Sequence, residues 1–239
     1  MTRMWTETPL LIAANRDELY SRPASPPRIQ VMEGAHALAP VDDRAGGTWI
    51  GLNDHGVLAA ITNRRGQDQD ASRQSRGGLV FEALRGRTAS EGLSRVQGLS
   101  ADAFNGYHLA VADRSEAGVV WSDGRATTRQ PLPPGLHVVT EGSFRDRPCA
   151  RAAWIAGDPM GWAQLTDPPA MEALRALLAT RQDPMPVSVA APGIGYGTRS
   201  SSIIRLGPEV DDVRWHEASG PPHATPFVSQ GPLLDQLFA

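Results

Sequence analysis

Lysine is absent: all 23 basic residues of this 239-residue chain are arginine, which points to a GC-rich genome rather than to a function. Cysteine occurs once, as Cys149, so an internal disulfide and a multi-cysteine zinc site are both excluded. That scarcity suits a reducing cytosol, and a cytoplasmic location is the expectation; Cys149 itself, after Arg147-Pro148, reads as a structural thiol opening a helix. Aromatic residues make up 6% and are not interleaved with arginine, and the net charge is −3, so nucleic acid is not an expected partner. No run approaches the roughly 18 apolar residues of a membrane span. Met1 to Pro9 carries Glu7 and no apolar core, so it does not read as a signal peptide.

Several catalytic signatures are missing too. The six histidines show no close pairing that would hold a metal, and no Gly-x-Ser-x-Gly elbow occurs. Gly46-Gly47-Thr48-Trp49 lacks the Gly-Lys-Ser/Thr continuation of a phosphate loop; two glycines before a Trp-bearing strand instead suggest close backbone approach to a neighbour or a ligand. Neither a metal nor a cofactor is expected.

What is present begins with Leu10-Leu11-Ile12-Ala13-Ala14 running directly into Asn15-Arg16-Asp17-Glu18. A buried strand that delivers an amide, a guanidinium and two carboxylates to a sheet edge is costly to build, so such a cluster marks a site more often than an accident. Arg22 to Pro27 should be an extended loop, and a brief extended piece is expected around Ala37 to Pro40. Trp49 to Leu52 and Val57 to Asn63 flank the polar turn Asn53-Asp54-His55-Gly56 as a hairpin, and Tyr107 to Ala112 with Gly118 to Ser122 forms another. Helical spacing marks 76–84, 88–98, 147–156 and 168–181; strands are expected over 135–140, 200–206 and 213–217.

Hairpins, a helical interlude, then further hairpins and helices make an α+β order with mostly antiparallel sheet. Residues 1–217 should form a single domain, with the Pro-rich 218–239 as a tail over its surface. Asn63 ends its strand much as Asn15 ends the first, and a strand-end carboxamide can donate to a developing oxyanion. Tyr196-Gly197-Thr198-Arg199-Ser200-Ser201-Ser202 gathers hydroxyls and a guanidinium suited to a carboxylate or phosphate.

Taken together and in order, Pro9 to Glu18, Ala45 to Trp49 with Thr62-Asn63-Arg64, Ser75-Arg76-Gly77, and Gly197 to Ser201 resemble the NRDE family, named for its Asn-Arg-Asp-Glu motif, which includes the Transport and Golgi organisation protein type. The resemblance implies a four-layer αββα sandwich of the N-terminal-nucleophile hydrolase kind. There a cysteine exposed by removal of the initiator Met attacks an amide carbonyl, with its own α-amine as base. It further implies catalytic roles for Asn15, Arg16, Asp17 and Asn63, and substrate contacts from Glu18, Trp49, Thr198, Arg199 and Ser200. The substrate would be a small acylated compound cleaved at a non-peptide C–N bond. Alternatively, the resemblance implies a non-catalytic carrier of haem or a lipid-like ligand, with His36, His55 and His137 as possible axial ligands.

Position 2 here is Thr2, not cysteine. Met1 to Thr8 looks too short for the strand that should carry the nucleophile, so the fold is expected without its first strand. Two explanations stand: a true start about 10–15 residues upstream at a Met-Cys pair, or Thr2 itself as nucleophile.

Overall fold

The computed structural model of the chain describes residues 1–66, 69–143, 150–158, 160–181 and 186–239. In order come β1 (Thr2–Trp5), β2 (Thr8–Leu19), β3 (Ala24–Met32), β4 (Ala35–Asp42), β5 (Ile50–Asn53) and β6 (Leu58–Asn63). Helices α1 (Gly77–Leu84) and α2 (Ala89–Gln97) precede β7 (Tyr107–Ala112), β8 (Ala117–Ser122) and β9 (Thr127–Pro131). Then follow α3 (Ala150–Ala156), α4 (Met171–Ala179), β10 (Ala190–Ala191), β11 (Tyr196–Leu206), β12 (Val213–Ala218), β13 (Val228–Ser229) and α5 (Gly231–Leu237).

Strands β3 to β9 form one antiparallel meander, each paired with the next. The other sheet runs β1-β2-β11-β12-β13, with β10 added beside β11, and it too is antiparallel. Alternation of side chains then builds the layers. Leu10, Ile204, Leu206 and Trp215 of this second sheet meet Leu38, Ile50, Leu52, Leu58 and Val119 of the meander in a shared core. On the far side of the meander, Ala59, Leu109 and Val111 pack under Leu79, Leu84 and Leu93 of α1 and α2. On the far side of the other sheet, Leu11 and Ile203 pack under Leu174, Leu177 and Leu178 of α4. The result is the four-layer αββα sandwich.

Four details depart from the sequence expectations. The first strand is present, because Thr2 to Trp5 fits a four-residue strand that reverses tightly into β2, pairing Thr2 with Leu10 and Trp5 with Thr8. Pro26 and Pro27 lie inside β3 rather than in a loop, which is tolerated because β3 is an edge strand whose register shifts between Ser25 and Arg28. Residues 135–140 form no strand beyond a single bridge between Gly135 and Thr2. The Pro-rich 218–239 is no surface tail: β13 pairs with β12, and α5 inserts Leu234 and Leu237 into the inter-sheet core. Of the helix expected over 147–156, residues 147–149 and with them Cys149 lie outside the described residues.

The double glycine does mark a close approach. Backbone meets backbone where Gly47 faces Gly77: a Cβ on Gly47 would lie 2.6 Å from Gly77 carbon atoms, and Thr48 N–H donates to Gly77 O at 3.2 Å. This contact ties the start of α1 to the approach to β5.

Candidate functional site

Asn15 to Glu18 lie within β2, not beyond its end, and pair with β11: Asn15 opposite Ser201, Arg16 opposite Ser200, Asp17 opposite Thr198 and Glu18 opposite Gly197. Two of the motifs separated by some 180 residues are thus adjacent strands. The period of two then splits the quartet between the two faces of the sheet.

Asn15 and Asp17 share the face of Leu11 and Ala13, toward the α4 layer. Asn15 Nδ2 donates to Leu178 O at 2.9 Å and Val187 O at 3.0 Å, and its Oδ1 accepts from Ser201 Oγ at 2.6 Å. Asp17 Oδ1 accepts from Thr198 Oγ1 at 2.6 Å, and Arg151 stands 3.9 Å from its other oxygen. Burial pushes the Asp17 carboxyl up, while the Thr198 hydroxyl and Arg151 hold it down. Thr198 Oγ1 also accepts from Val189 N–H at 2.8 Å. These bonds join β2 to β11 and to the segments around Leu178, Val187 and Val189.

Arg16 and Glu18 share the opposite face with Leu10 and Ile12, toward the meander. The Arg16 guanidinium lies over the Trp49 ring, 4.2 Å from its centroid, and 3.9 Å from Asp42 Oδ2. Asp42 is held in turn by Arg22 Nε at 2.7 Å, and Glu18 lies 3.9 Å from the same nitrogen. Burial pulls the Arg16 guanidinium down from its ordinary value, with Glu18 and Asp42 opposing that shift. On the same face, Glu217 of β12 is buried, accepting on Oε2 from Ser202 Oγ at 2.5 Å and from Trp215 Nε1 at 3.2 Å. Burial pushes that carboxyl up to about 7.

Of the residues expected at the site, the inner face therefore gathers Arg16, Glu18, Trp49 and Ser200; Asn15, Asp17 and Thr198 gather on the outer face. Arg199 sits where the β2–β11 register shifts, its guanidinium 5.6 Å from the Tyr20 ring centroid. Asn63 does not join Arg16: it pairs with Tyr107 and shares the face of Ala59 and Ile61, toward α1 and α2. A common pocket holding the whole quartet and Asn63 is not what the alternation of these strands produces.

Thr2 is not at the site either. It pairs with Leu10, six residues before Arg16 or about 20 Å along the strand, and its Oγ1 donates to Pro133 O at 2.9 Å. The histidines weighed as axial ligands lie elsewhere: His36 and His55 both lean on Asp54, and His137 Nε2 contacts Pro133 O. Asp42, Arg151 and Glu217 were not anticipated. Glu217 was legible in principle, since Val213, Trp215 and Glu217 alternate onto one face; Asp42 and Arg151 act across elements, which no local pattern announces.

The family model of Transport and Golgi organisation 2 matches residues 2–157. The chain belongs to that family. A Transport and Golgi organization protein 2 homolog from Bos taurus is 31% identical over 82% of this chain and 81% of its own length. The Homo sapiens homolog is 36% identical over 45% of this chain and 40% of its own. Among solved structures, penicillin V acylase from Agrobacterium tumefaciens superposes with a TM-score of 0.57 over 94% of this chain and 84% of that one, at 15% identity. A variant of conjugated bile acid hydrolase from Clostridium perfringens gives 0.61 over 93% and 89%, at 11% identity. The chain therefore has the N-terminal-nucleophile hydrolase fold.

Proposed function

We propose that the chain is an amidohydrolase of the N-terminal-nucleophile kind, cleaving a non-peptide C–N bond of a small acylated substrate. Support comes from Arg16, a guanidinium buried on the inner face with no hydrogen bond to any described residue, in a fold shared with an acylase and a hydrolase. Arginine stays protonated, so it offers a fixed positive charge where a thiolate or oxyanion would develop.

The ladder between β1 and β2 supports an attacking group carried on the strand beside β2. Met1 exchanges hydrogen bonds with Leu11, and Thr2 pairs with Leu10. Continued in register, each residue preceding Met1 moves one position toward Arg16, and residues directly opposite share a face. A residue directly opposite Arg16 on that ladder would share its inner face. A thiol there would pass its proton to its own α-amine and bond to the carbonyl carbon; the C–N bond then breaks, the leaving amine takes that proton, and water releases the acid.

The test is turnover of a panel of N-acyl amino acids and acyl p-nitroanilides by protein whose native N-terminal residue is fixed by intact mass. Hydrolysis that disappears in Arg16→Gln supports the reading. No turnover of any amide, together with tight binding of haem or a lipid, overturns it in favour of a carrier.

A further inference from the structure

Arg16 and Ser200 stand opposite each other on β2 and β11, and both face the space between the sheets. Ser200 is 8% exposed; its Oγ stands near enough to Glu217 to draw that carboxyl down a little, but it makes no close hydrogen bond among the described residues. Arg16 is 9% exposed; its guanidinium lies over the Trp49 ring and 3.9 Å from Asp42, and makes no hydrogen bond among the described residues. Leaving one buried donor unpaired costs roughly 1–3 kcal/mol, more when it is charged. The buried Ser200 hydroxyl is in that state, and the Arg16 guanidinium opposite it spends none of its donors on a hydrogen bond among the described residues, so together they leave room for an acceptor from outside the chain.

Ser202, the neighbouring serine on this face, is different: its hydroxyl is committed to Glu217. Ser202 and Trp215 both donate to Oε2 of Glu217, whose carboxyl burial pushes up to about 7. Below that pH the group beside Ser200 is an uncharged acid rather than a competing carboxylate. Around Arg16 the charged side chains are Arg22 and Arg199 against Glu18 and Asp42, so with Arg16 itself the cluster carries a net charge of one positive unit. A planar anion with two acceptor oxygens matches a guanidinium fork plus a hydroxyl.

We propose that Arg16 and Ser200 form a carboxylate-binding subsite, so that the ligand of this chain is an organic acid. Calling that ligand a substrate rests on the amidohydrolase reading; the subsite does not. The experiment compares binding of phenylacetate with that of neutral 2-phenylethanol to the full chain by calorimetry and by the Trp49 indole resonance, with thermal melts as the check on folding. Phenylacetate should bind about tenfold or more tightly, the span of one charge-assisted bidentate contact. That preference should fall to about twofold or less in both Arg16→Gln and Ser200→Ala, and survive in part in Arg16→Lys. Equal affinity for acid and alcohol, no binding of either, or a preference that survives both variants overturns the subsite. Turnover of acylated amides without any preference for phenylacetate would overturn the subsite alone, and a strong preference without turnover would leave it standing while the hydrolase reading fails.

Discussion

Asn15 and Arg16 are consecutive, yet they do opposite work. Asn15 uses its amide to tie β2 to Leu178, Val187 and Ser201, so it behaves as a structural bolt. Arg16 makes no such bond and gives up hydration for a position against Trp49. Glu217 shows the same cost as a function of pH. Its carboxyl titrates near 7 in the folded chain against an ordinary value of 4.5. Below pH 4.5 both folded and unfolded states hold the proton and the group costs nothing. Between pH 4.5 and 7 the unfolded chain releases its proton while the folded one keeps it, so stability falls. The loss totals roughly 3 kcal/mol and is complete above pH 7. In Glu217→Gln that decline should vanish, leaving the variant more stable than the parent at pH 8 and similar at pH 4.5; urea unfolding at the two pH values measures it.

Elements were legible where periodicity and turn chemistry agreed. The hairpins at β5–β6 and β7–β8 and the helices α1, α2 and α4 follow directly from alternation, helical spacing and polar turns. Proline content misled twice, in β3 and in the final segment, because an edge strand and a helix N-terminus both accept proline that a central strand would reject. Burial of α5 makes a direct prediction: Leu237→Ala should cost about 2–4 kcal/mol, as for a core leucine, whereas a surface tail would change by about 0.5 kcal/mol or less. The glycine contact makes another. Gly47→Ala places a Cβ against Gly77 backbone, which cannot rotate away, so a loss of about 1–3 kcal/mol is expected by the same denaturation measurement.

At the scale of the whole molecule, the decisive pairing is β2 with β11, and local pattern could not supply it: nothing in either segment alone names its partner. The family resemblance brought the two motifs into one account, and the register then divided their residues between two faces. A sequence motif is contiguous, but a strand sends alternate members to different layers, so Asn15 and Asp17 face one layer and Arg16 and Glu18 the other. Asn63 falls on the α1–α2 face for the same reason, since a strand end reveals its neighbours only once the face is known.

Unfolding free energies of Asn15→Ala and Arg16→Gln, measured side by side with phenylacetate affinity, test this division most directly. We predict that Asn15→Ala loses about 1–3 kcal/mol through two stranded carbonyls and an unpaired serine, with little change in acid binding for the folded fraction. Arg16→Gln should be as stable as the parent or more so, and lose the preference for the acid. If instead Arg16→Gln unfolds the protein while Asn15→Ala leaves stability intact and abolishes binding, the assignment of the two faces is wrong.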